Sequence, residues 1–149
     1  MKKYISCVAS SAVASFYISE LQSKNTPKMH CYKTITNTSA RLKESDIVSS
    51  PSGRLGHDLA GSVHTAKENR LARYIKRLVS ELHIIHEMNR EMDIVLVANA
   101  KLIGLIRKEL PTSLSQSVIL EVEKDYVSLP VDELTGHLRD LLYPVLKSA

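Results

Sequence analysis

The apolar positions along the chain change period, and those changes set out most of the predicted elements. Over 3–9 apolar residues alternate with others, which puts Ile5, Cys7 and Ala9 on one face of a strand. Ser10-Ser11-Ala12 reads as a tight turn into a second strand over 13–21, with Ala14, Phe16 and Ile18 sharing a face. Asn25-Thr26-Pro27 breaks the chain, and 28–36, rich in Thr, Ile and Tyr, reads as a third strand. Short turns between these strands predict an antiparallel meander. From 37 to 64 no period holds: the stretch is rich in Ser, Gly, Asn and Thr, and reads as a long loop with at most a turn of helix at Leu42–Ile47.

The helical period then takes over. Leu71, Tyr74, Ile75, Leu78, Val79, Leu82 and Ile85 recur at spacings of mainly three and four, predicting a helix over 65–88. Thr65 and Glu68 fit a capping box at its start. Met92 to Ala98 is an almost unbroken apolar run, the mark of a buried strand. Asn99 is placed to cap a helix over 100–110, with Leu102, Ile103, Ile106 and Leu110 inward and Pro111 as its stop. Residues 117–123 set Val118, Leu120 and Val122 against Ile119, Glu121 and Glu123, a half-exposed strand. Pro130 opens a last helix over 130–142, with Leu134, Leu138 and Leu141 inward. The order β-β-β-α-β-α-β-α predicts one α/β domain over 1–149: a mixed five-stranded sheet in three layers, in the manner of the ribonuclease H-like fold.

Composition agrees with this and narrows the chemistry. A chain of 149 residues, 44% hydrophobic, buries enough surface to fold without a disulfide or metal staple. The two cysteines, Cys7 and Cys31, read as reduced core thiols. No apolar run approaches the length of a membrane span. Lys2-Lys3, the apolar stretch from Ile5 and Ala12-Val13-Ala14-Ser15 imitate a signal peptide. Ser6, Ser10 and Ser11 interrupt that stretch and its residues alternate as a strand, so a cytoplasmic location is expected. The net charge of +4 is unevenly placed: residues 1–75 hold 11 basic against 5 acidic side chains, and the rest 9 against 11. An anionic partner would therefore meet the N-terminal half. With no Trp and one Phe, stacking on bases is hard to build, so an RNA partner would be held through its backbone.

The candidate RNA-binding residues follow from that charge. Arg54, His57, Gly61 and His64 lie close together, with Lys67, Arg70, Arg73, Lys76 and Arg77 just after them. A glycine loop lets backbone amides approach a phosphate, the following helix N-terminus adds its dipole, and the basic helix face extends the surface. The plain alternative is a loop beside a solvated helix face. His83, His86 and Glu87 share a helix but lack the spacing and third ligand of a zinc site, so no metal or cofactor is expected. Ser10-Ser11 has no nucleophile elbow around it and reads as a turn.

Several local patterns together resemble the bacterial host-attachment family, itself similar to the middle domain of archaeal and eukaryotic peptide-chain release factors. They are Val8-Ala9-Ser10-Ser11 with Ala14 and Tyr17, Arg41 to Asp46 with Gly53-Arg54, and Gly61 and His64 with Lys67-Glu68 and Tyr74 through Leu82. Ile94 to Ala98 with Leu102 to Arg107, and Val122 to Tyr126, complete the set. The resemblance implies two functions of different kinds. One is a ribosome- or RNA-associated module without catalysis. The other is an infection-related interaction factor with a host or bacterial protein, or a polysaccharide, as partner. Gly61-Ser62-Val63 stands where release factors carry Gly-Gly-Gln, and Ser10 where the family often has Asp. Neither peptidyl-tRNA hydrolysis nor a metal-dependent nuclease is then expected. A weaker reading is an esterase or phosphodiesterase acting through His57 or His64.

Overall fold

The computed structural model describes the backbone of residues 2–21, 28–37 and 56–147, and side chains over 3–20, 29–37 and 66–142. Strands β1 (Lys2–Ala9), β2 (Val13–Leu21) and β3 (Lys28–Thr36) form the meander. Helix α1 (Gly56–Met88) leads to β4 (Asp93–Ala98), then α2 (Ala100–Glu109), a four-residue helix α3 (Thr112–Ser115), β5 (Val118–Glu123) and α4 (Val131–Lys147). The sheet order is β3-β2-β1-β4-β5, antiparallel on the meander side and parallel across β1-β4-β5. Among the described residues the result is an α/β arrangement with a mixed five-stranded sheet and four helices.

β1 is the middle strand. Tyr4 to Val8 pair with Asp93 to Val97 on one side, and Lys2 to Ala9 with Leu21 to Ala14 on the other. Its period of two therefore feeds two cores. Ile5, Cys7 and Ala9 face α1 and α2, together with Phe16, Ile35, Leu78, Leu82, Ile85, Ile103 and Ile106. Tyr4 and Val8 face α4, with Tyr17, Val95, Val97, Leu134, Leu138 and Leu142. Burying a Leu or Ile side chain fully contributes about 1.5–3 kcal/mol, so the α1 stripe is a large source of packing energy. Because the signal-like stretch is this central strand and its neighbour, cleavage after Ala14 would remove the middle of the sheet.

The turns follow their side-chain chemistry. Ser10 Oγ accepts from the Ala12 and Val13 amides, both at 3.2 Å, and the Ser10 amide donates to the Val13 carbonyl at 2.8 Å. Asn99 Oδ1 accepts from the Leu102 amide at 2.8 Å, the expected cap. Arg107 Nη2 donates to both carboxylate oxygens of Glu121 (2.9 and 2.8 Å) and ties α2 to β5.

Other expectations are corrected. α1 starts at Gly56, not Thr65, so Thr65 and Glu68 lie inside the helix rather than at a capping box, and 56–64 is not loop. Helix propagation is cooperative, and the roughly 1 kcal/mol that Gly61 costs does not stop a helix anchored by so long a stripe. The proposed helical turn at Leu42–Ile47 and the break at Asn25-Thr26-Pro27 lie outside the described residues. In β5 the register slips between Ile94 and Val95, which pair with Val118 and Leu120. That slip sends Val118 to the α1/α2 core while Leu120 and Val122 pack on the α4 side, so the three do not share a face. Pro130 precedes α4 instead of opening it, and Leu142 is buried where Leu141 is only partly so. Pro111 stops α2 but also stands ahead of the unforeseen α3. Cys31 is exposed, not a core thiol, and β2 separates its strand from that of Cys7.

Candidate functional site

The candidate residues proposed from sequence divide into four groups. Lys67, Arg73, Lys76 and Arg77 are exposed on α1 and make a cationic surface over three turns. Arg70 is half-buried, and its Nη1 is enclosed without a hydrogen-bond partner. Arg77 Nη1 reaches the Thr36 carbonyl at 3.4 Å, which binds the helix to the end of β3. His57, Gly61 and His64 belong to the helical backbone of α1, so they do not form a phosphate-cradling glycine loop. Arg54 lies outside the described residues.

The histidine cluster does not converge. His86 is buried, with Nε2 3.2 Å from the Met92 carbonyl oxygen, and serves the turn between α1 and β4. His83 is exposed, 3.8 Å from Glu87. Arg90 hydrogen-bonds the Glu87 carboxylate at 2.7 and 3.2 Å and holds it below the usual carboxylate range. Among the described residues no three His, Cys, Asp or Glu side chains stand together as metal ligands. Cys7 is inert: burial pushes its thiol up to about 12. The Tyr74 hydroxyl donates to the Ser10 carbonyl at 2.8 Å and is pushed up first by burial, then by Cys7. Tyr126 stacks on His137 with ring centroids 5.0 Å apart.

One surface was not foreseen. Among the described residues four large hydrophobic side chains are exposed, and three of them gather beside the sheet edge: Tyr32 (46%), Ile84 (53%) and Met88 (53%). Tyr32 Oη lies 3.5 Å from Met88 Sδ, and Ile84 is one helical turn before Met88. Their meeting depends on a bulge. Phe16 pairs with Lys33 but Tyr17 with Cys31, which leaves Tyr32 as an extra residue. Tyr32 and Lys33 both then turn towards α1, where Lys33 Nζ bonds Glu81 at 2.9 Å. Among the described residues β3 is an edge strand of nine residues with no second neighbour in the sheet, and His30 to Thr34 are exposed along it. Scattered apolar surface is ordinary, but a cluster beside an open strand is the form taken by interaction sites. The signal was available in sequence: Ile84 and Met88 fall outside the stripe of Leu78, Leu82 and Ile85.

No described helix is long and apolar enough to cross a membrane. The family described as "Protein required for attachment to host cells" matches residues 7–138, a span from β1 into α4. No curated protein matches the chain.

Proposed function

The chain belongs to the family of proteins required for attachment to host cells, and we propose that it acts there as an interaction factor docking a partner protein along the β3 edge. The observation that carries this reading is the cluster of Tyr32, Ile84 and Met88 beside that edge strand. An extended segment of the partner adds to β3 through main-chain hydrogen bonds, and the apolar cluster takes its side chains. An attachment role fits a secreted or surface location better than the cytoplasmic one expected from sequence. The test is complementation of a strain lacking the protein. Ile84→Asp and Tyr32→Glu should abolish attachment while the melting temperature stays within a few degrees of wild type. Full attachment by both folded variants overturns the reading.

A second reading keeps the RNA or ribosome partner, and the exposed cations Lys67, Arg73, Lys76 and Arg77 favour it. Binding to ribosomes would fall steeply with salt and weaken in Arg73→Ala/Lys76→Ala. Salt-independent sedimentation, unchanged in the variant, removes it. The strand order β3-β2-β1-β4-β5 is the observation in favour of the finer ribonuclease H-like assignment.

A further inference from the structure

The flank of α1 that overlooks β3 changes character along its length. Arg70, Arg73, Arg77, Glu81, Ile84 and Met88 follow one another at spacings of three and four, which sets them in one stripe on the helix. Three contacts lay that stripe along the strand. Arg77 Nη1 is 3.4 Å from the Thr36 carbonyl oxygen, Lys33 Nζ 2.9 Å from Glu81, and Tyr32 Oη 3.5 Å from Met88 Sδ. The helix therefore runs back along β3, from the end of the strand towards its start. The arginines stand at the Thr36 end, and the apolar cluster of Tyr32, Ile84 and Met88 lies towards the other.

The charge at the Thr36 end is unanswered. Arg73 and Arg77 are exposed, Arg70 is half-buried, and none of the three has an ion pair among the described residues. Glu81 is the one carboxylate of the stripe; its side chain is 16% exposed and already bonded to Lys33. Glu87 is held by Arg90, and Glu20, opposite the start of β3, pairs with Lys3. Glu68 stands on the opposite flank of α1, in the groove over Leu71 and Leu105 between α1 and α2. Three guanidinium groups within about two helical turns, with no carboxylate between them, repel one another and attract anions.

Resting on the reading of β3 as a docking edge, we propose that the partner segment added to it is acidic at one end and apolar at the other. Its carboxylates meet Arg73 and Arg77, and its aliphatic or aromatic side chains meet Tyr32, Ile84 and Met88. From Arg73 to Met88 the stripe is about 22 Å long, the span of an extended segment of about seven residues. Antiparallel pairing is the more stable form and places the acidic end first in the partner's sequence. A polynucleotide answers the arginines but neither the apolar half nor the main chain of an edge strand. A peptide fits the whole surface, and RNA only one end of it.

The test is fluorescence anisotropy of the full chain with labelled acetyl-Glu-Asp-Glu-Thr-Val-Thr-Leu-amide at low salt. The controls are the same peptide with lysines for its acidic residues, its reversed sequence, and oligouridylate. Saturable binding is expected for the acidic peptide, weaker binding for the reversed one and none for the lysine form. The Arg73 side chain has no bond to the rest of the described fold, so Arg73→Glu should leave the melting temperature unchanged. It should weaken the acidic peptide about tenfold, an exposed ion pair turned into a repulsion, and Arg73→Glu/Arg77→Glu should bind the lysine form instead. Equal binding of the acidic and lysine peptides, equal binding of both orders, or undiminished binding to Arg73→Glu each overturns the proposal. So does the lack of saturable binding, or tighter binding of oligouridylate that survives Ile84→Asp. Complementation with the same variants separates this proposal from the reading it rests on. If Ile84→Asp abolishes attachment and Arg73→Glu/Arg77→Glu does not, the edge still docks a partner and only the acidic end falls. If neither does, both fall.

Discussion

Leu82 and Ile84 lie two residues apart on α1 and test the orientation of the whole helix. Leu82 is fully buried in the core beneath the helix, while Ile84 is 53% exposed. Replacing Leu82 with Ala removes the transfer energy of the lost carbons and leaves a cavity among Leu78, Ile85 and their neighbours. Buried Leu→Ala changes cost roughly 2–5 kcal/mol. For a domain of this size each 1 kcal/mol lowers the melting temperature by about 2–4 °C. A mid-range loss of about 3 kcal/mol then gives a drop of about 6–12 °C. Ile84→Ala removes almost the same atoms from a surface position and should stay within about 0.5 kcal/mol. Thermal melts, and urea titrations showing a shifted midpoint with an unchanged slope, read both variants. Equal losses in the pair, or a Leu82→Ala cost below about 1 kcal/mol, would refute the placement of α1 and with it the reading of Ile84 as free surface.

Thiol labelling should find one reactive cysteine, Cys31, in the folded protein and two after denaturation; two in the native state would contradict the burial of Cys7. The Cys7 thiol ionises near 9 when free and near 12 when folded. The unfolded chain therefore loses its proton first, and stability should fall as pH rises from about 9 to 12. Cys7→Ala should flatten that part of the profile, as measured by urea midpoints across pH. Asn99→Ala removes the cap of α2 and should cost about 1 kcal/mol, while Asn99→Ser should recover most of it. Deleting residues 1–14 should abolish the cooperative melt, because β1 has a partner on both sides; a folded product would reopen the signal-peptide reading.

Much of the fold could be read in the sequence, because strong local periods decided it. The alternation of Ile5, Cys7 and Ala9, the stripe of α1 and the capping chemistry of Asn99 act over a few residues each. The misreadings arose where a distant contact overrode a local rule. Gly61 and Thr65 look like a loop and a helix start, yet helix propagation passes through both. Val118 alternates correctly by itself, and only its slipped pairing with Ile94 turns it to the other core. The candidate site was less legible. The cations of α1 were visible as residues, but the Tyr32, Ile84 and Met88 cluster needs a bulge formed between two strands and a helix that packs on them. The groove over Leu71 and Leu105 likewise needs two helices set side by side, and neither sequence segment announces the other.

The position of β1 has a consequence for how the protein is made. Of the five strands described, β1 leaves the ribosome before the others and is the one the finished sheet encloses, and Tyr4 meets Asp93 only across about 90 residues of later chain. At translation rates of about 5–20 residues per second, the far side of β1 waits roughly 5–20 s for β4. During that time the meander presents the open, apolar edge of β1, the kind that joins other nascent strands. Slow elongation before residue 98 should thus raise the aggregated fraction, whereas slow elongation after it should not. The chain is most vulnerable on the ribosome, at the strand that is best protected once folding is complete.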